Sequence, residues 1–95
     1  MARALSFPYI QGRAEQVKGE VALRAGAVPD AIRLLDGAAS IFVRIEAPYE
    51  WARATLSLAA AFAAAGEAER AATSRRAALE TADRIGARLT PADSY

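Results

Sequence analysis

Chemistry needs side chains that donate, accept or attack, and this sequence is short of them: it has no histidine and no cysteine. The commonest general base, the commonest metal ligand and every thiolate are thereby removed. Carboxylates, Lys18 and a few tyrosines remain. Glu67 and Glu69 come nearest to a paired-carboxylate spacing. Two residues apart on a helix point to different sides, so this pair cannot work as an acid–base dyad. No glycine-rich phosphate loop, nucleophile elbow or metal-ligand spacing occurs. The expectation is a chain without catalytic residues, metal or cofactor. Arg13 and Arg53 are of more interest, because they hold equivalent places in two similar stretches of sequence. A forked guanidinium can fix a carboxylate or a peptide terminus. Alternatively, both arginines are solvated or pair with Glu50 and nearby acids, as surface ions commonly do.

The bulk properties narrow the partners. Ninety-five residues make one small domain with a modest core. The net charge is +1 with acids and bases interleaved, so the whole chain lacks the field that gathers nucleic acid or an anionic membrane. Nucleic acid is not an expected partner. No apolar run has the length of a signal peptide or of the ~20 residues that span a bilayer. A soluble, cytoplasmic protein with no membrane association is expected, and the lack of cysteine suits a reducing compartment.

Alanine dominates the apolar residues, which favours closely packed helices. Four are expected. The first opens at the Ser6-Phe7-Pro8 turn and stops at Gly26, with Ile10, Ala14, Val17, Val21 and Val28 forming a stripe. Gly12 and Gly19 each weaken this helix by ~1 kcal/mol relative to alanine, and close approach of another helix is the reason expected. The second helix starts at Val28-Pro29-Asp30 and ends near Glu46, with Ala31, Leu35, Ala38, Phe42 and Ile45 on one face. Ile32, Leu34, Ile41 and Val43 lie off that face, so more than one neighbour must cover it. Pro48 opens the third, which Gly66 closes; Ala52, Leu56, Ala59 and Ala63, beside Phe62, give it a shallow packing face. A fourth is expected from about Glu67 to Arg88, with Ala71, Ala78, Leu79, Ala82 and Ile85 inward. Glu20 to Arg24 and Glu80 to Arg84 have the spacing of helical ion pairs. Residues 88–95 are helix-breaking and are expected to fray.

The sequence repeats itself. Laying residues 8–47 over 48–87 gives eleven identities, five of them alanine. The others are Pro8 with Pro48, Tyr9 with Tyr49, Arg13 with Arg53, Gly26 with Gly66, Arg44 with Arg84 and Ile45 with Ile85. They sit at turns or on matched helix faces, which argues for a duplicated helical hairpin. The fold expected is therefore all-α: two tandem antiparallel hairpins, 8–47 and 48–87, in one domain.

Around each glycine turn the pattern resembles a tetratricopeptide (TPR) repeat: Gly19, Gly26, Ala31 and Ala38 in the first unit, and Ala59, Gly66, Ala71 and Ala78 in the second. Ala22 replaces the usual aromatic of the first unit and Arg75 a usual apolar residue of the second. The units are also longer than the ~34 residues of the standard repeat. Long units with a Pro-Tyr-Glu-x-Ala-Arg opening resemble the helical-repeat region of large ATP-binding, LuxR-type bacterial regulators, where repeats sense ligands or hold partner proteins. Leu89-Thr90-Pro91 resembles the opening of the helix-turn-helix that often follows there, although Ala92-Asp93-Ser94-Tyr95 then closes the sequence.

The resemblance implies that the first helix of each hairpin lines a concave groove. Arg13, Gln16, Glu20 and Arg24 take that role in the first unit, and Arg53, Leu56 and Ala60 in the second. Leu34, Ile41, Val43, Tyr49 and Trp51 are candidates for an interface, although Tyr49 and Trp51 also suit packing where the hairpins meet. Ser74, Arg75 and Arg76 with Arg70, Arg84 and Arg88 have the composition of a phosphate contact, but Glu67, Glu69, Glu80 and Asp83 share the helix, and a solvated mixed-charge face is the reading expected. Two repeats fall short of the three that usually make a solenoid stable alone. The function expected is a protein-binding scaffold of TPR type that forms a homo-oligomer, a dimer for instance, or docks on a larger regulatory protein. The alternative is a small-ligand-sensing fragment of a bacterial transcriptional regulator, holding an organic anion between Arg13 and Arg53.

Overall fold

A computed structural model of the chain describes residues 7–87. The lead-in, the tail 88–95 and with it Leu89-Thr90-Pro91 lie outside the described residues. Four helices follow one another: α1 (Phe7–Arg24), α2 (Val28–Arg44), α3 (Pro48–Ala64) and α4 (Ala68–Arg84). Helix α1 packs along α2 and α3 along α4, giving two tandem hairpins, and α2 packs on α3 to join them. No strand occurs among the described residues.

The turns explain the regularity. Each helix ends in one residue with positive φ, and these fall evenly at Gly26, Glu46, Gly66 and Gly86. In the first turn the Ala27 N–H donates to the Ala22 carbonyl at 2.9 Å and the Gly26 N–H to that of Leu23 at 3.0 Å. The other three turns repeat the pattern, for example Glu67 to Phe62 at 2.9 Å and Ala87 to Ala82 at 2.8 Å. These are paired hydrogen bonds of the Schellman type, which satisfy carbonyls at a helix end and favour glycine at the left-handed position. Pro29 and Pro48 then start α2 and α3 within the first turn, where a missing N–H loses no helical bond. Helix α4 stops at Arg84 and does not continue to Arg88, because the left-handed Gly86 ends it.

Helix α2 is the centre of the core. Leu35 and Phe42 are its largest fully buried residues, and two apolar clusters form around them. One joins Ala31 and Leu35 to Leu58, Ala61 and Phe62; the other joins Ala38, Ala39 and Phe42 to Ala54, with Tyr9, Ile45 and Trp51 at its edge. The expectation that more than one neighbour covers α2 is met by α1 on one side and α3 on the other. The expected close approach at the α1 glycines is also present. A Cβ on Gly12 would lie 2.9 Å from the Phe42 ring, and one on Gly19 would lie 2.6 Å from Leu35 Cγ.

Some faces turn out differently from the expected pattern. Ile10, Val17 and Val21 point to solvent, because α2 is packed on the opposite, glycine-bearing face of α1. Leu79 and Ile85 of the fourth helix and its turn are exposed, whereas Thr81 joins Ala78 and Ala82 in the interior. Ala63 is exposed at the end of α3, while Ala52, Ala59 and Phe62 are buried as its shallow face requires.

Candidate functional site

The first helices of the two hairpins meet through polar groups. Gln16 and Glu20 are both buried on α1, although their side chains are polar. The Ser57 hydroxyl of α3 donates to the Glu20 carboxylate at 3.0 Å, and the Gln16 amide donates to the same oxygen at 3.3 Å. Arg13 donates in turn to the Gln16 carbonyl at 2.9 Å. A second tie crosses nearer the N-termini, where the Tyr9 hydroxyl donates to Glu50 at 3.3 Å. Buried polar groups are tolerated when such partners exist, and here the partners are drawn from both hairpins.

These ties occupy part of the expected groove. Gln16 and Glu20 lie within the α1–α3 contact, with Arg13, Arg53, Leu56 and Ala60 half-buried beside it and Arg24 exposed. The Arg53 guanidinium lies over the Tyr49 ring at 5.8 Å, so each of the two equivalent arginines has a partner within its own helix. Of the expected interface residues, Leu34 and Ile41 turn toward the α1 glycines, and Trp51 packs at the edge of the core. Tyr49 is half-buried, and Val43 is exposed. On α4, Arg70 lies over the Phe62 ring at 4.4 Å and pairs with Glu67 at 3.2 Å; Arg84 donates to the Thr81 hydroxyl. Thr55 Oγ1 is buried in α3 and has no hydrogen-bond partner among the described residues.

Two surface features remain. An open, mainly apolar cleft of about 370 Å³ lies where α2, α3 and α4 converge, with Phe42, Val43 and Trp51 on its wall and Glu46 and Arg84 also lining it. The other feature is the outer face of α1. Phe7, Ile10, Val17 and Val21 are 75%, 54%, 49% and 55% exposed, and with Ala14 they are spaced alternately three and four apart. That is the spacing of a helix-pairing seam. The sequence shows this stripe plainly; its direction is set by Gly12 and Gly19, which lie on the other side of the helix.

Among the described residues no group of three or more acidic side chains is placed to hold a metal ion, and no helix is long and apolar enough to cross a membrane. Compared with known proteins, the chain matches no family model, no curated protein and no solved structure at a significant level.

Proposed function

We propose that this chain is a non-catalytic, TPR-type interaction scaffold that binds protein, either by self-association or by docking on a larger regulatory protein. The observation that carries this reading is the concentration of large exposed apolar side chains on one face of α1. Contiguous apolar surface of this kind marks interaction sites in soluble proteins, whereas scattered exposed residues need no explanation. The resemblance to repeat regions that hold partner proteins points the same way. Anion sensing between Arg13 and Arg53 draws less support, since Gln16 and Tyr49 already engage those guanidinium groups.

Site-specific photocrosslinking tests the reading. A photoreactive residue at Val17, in living cells, is expected to give a discrete adduct with a polypeptide, and one at Arg76 on the charged face of α4 is expected to give none. Absence of any polypeptide adduct from Val17 would remove the basis for a scaffold.

A further inference from the structure

We propose that the cleft where α2, α3 and α4 converge binds a free α-amino acid with a large apolar side chain, at a site apart from the exposed face of α1. Its walls are apolar, with Phe42, Val43 and Trp51 bounding a volume of about 370 Å³, at the small end of the range for ligand pockets. Its charged groups are of both signs: Glu46 comes from the turn between α2 and α3, and Arg84 from the end of α4. Neither makes an ion pair among the described residues. Arg84 donates instead to the neutral Thr81 hydroxyl, which lines the same cleft.

The duplicated sequence makes these features informative, because they are where the two units differ. Phe42, Val43 and Trp51 correspond to Ala82, Asp83 and Gln11, and Trp51 is the one tryptophan of the chain. Glu46 corresponds to Gly86, and its φ of 57° is the left-handed conformation that the other three turns give to glycine. Strain kept at a cleft, where glycine would relieve it, argues for a use of the side chain. The chemistry then selects the ligand. A carboxylate takes an ammonium group, and a guanidinium takes a carboxylate by forked hydrogen bonds. An α-amino acid carries both on one carbon, and its side chain is left to fill the apolar space beside Trp51 and Phe42. A purely apolar guest would use neither charge, and a simple anion or cation only one.

Trp51 reports on its own cleft. Titration of the full chain with L-phenylalanine or L-leucine near neutral pH is expected to change tryptophan fluorescence saturably and to raise the melting temperature. Phenethylamine, which lacks the carboxylate, and 3-phenylpropionate, which lacks the ammonium, are expected to bind roughly tenfold more weakly or worse, each leaving one charge unmet. Glu46→Gly and Arg84→Gln are each expected to weaken L-phenylalanine by roughly tenfold or more. Glu46→Gly should do so while making the unliganded chain more stable, a split that a merely structural glutamate would not produce. No saturable response to either amino acid would overturn the site, as would full affinity in either variant or equal binding of 3-phenylpropionate. Equal binding of N-acetyl-L-phenylalanine amide, which carries neither charge, would make an apolar segment of a polypeptide the occupant and remove the free amino acid.

Discussion

Glu46 is where the regularity of the turns breaks at the level of a single residue. Its φ of 57° is the left-handed value that Gly26, Gly66 and Gly86 adopt at the equivalent places, and among the described residues it is the one non-glycine to do so. A side chain there crowds the backbone by about 1–2 kcal/mol, part of which glycine gives back through its greater freedom in the unfolded chain. Glu46→Gly is therefore expected to stabilise the protein by about 0.5–1 kcal/mol in urea denaturation. Gly26→Ala should move the midpoint the other way by about 1 kcal/mol. An added Cβ at Gly26 meets nothing within 4 Å, so that cost is purely one of backbone conformation. No gain from Glu46→Gly would mean that the glutamate side chain makes contacts equal in worth to the strain.

Among the elements, α1 carries most of the contrast between what can be read in sequence and what cannot. Its glycines are legible, because each weakens a helix and so requires a compensating close contact, and both have one. Its stripe of Ile10, Val17 and Val21 is legible as a stripe, but apolar periodicity does not say which neighbour arrives. The buried face instead holds Gly12, Gly19, Gln16 and Glu20, three kinds of residue that hydropathy assigns to the surface or to nothing. Glu20 is buried because Ser57, thirty-seven positions later in the chain, donates to it, and no local pattern announces such a pairing. The fit at the glycines gives a sharp expectation. Gly19→Ala would improve the intrinsic helix propensity of α1 by ~1 kcal/mol. It would also set a methyl 2.6 Å from Cγ of the fully buried Leu35, so that side chain would have to shift within the core. Overpacking should win, with a net loss of about 1–2 kcal/mol in chemical denaturation, as forced core insertions generally show. A more stable Gly19→Ala protein would mean that the α1–α2 contact is looser than its geometry indicates.

The whole molecule is held together unevenly, and that inequality governs how it should fold. Sequence duplication suggests two equal hairpins, yet Leu35 and Phe42, the large side chains at the centre of the core, both belong to α2 in the first. Their counterparts in the second unit are Arg75 and Ala82. Helix α4 consequently offers α3 only a small buried set, Ala78, Thr81 and Ala82, while Ala54, Ser57 and Ala61 of α3 are covered from the other side. Without the first hairpin, Leu58 and Phe62 would lose the Ala31–Leu35 side of their cluster. Helices of this length are marginal in water without a packed apolar face. A fragment of residues 48–87 is therefore expected to show weak helicity and no cooperative melt by circular dichroism. A fragment of residues 7–47, keeping Leu35 and Phe42 against the α1 glycines, should retain clearly more helix. The intact chain should melt in one transition, because the second hairpin is stable only on the first. Two resolved transitions, or a 48–87 fragment that melts cooperatively alone, would show instead that the alanine contacts between α3 and α4 suffice and that the hairpins are independent units.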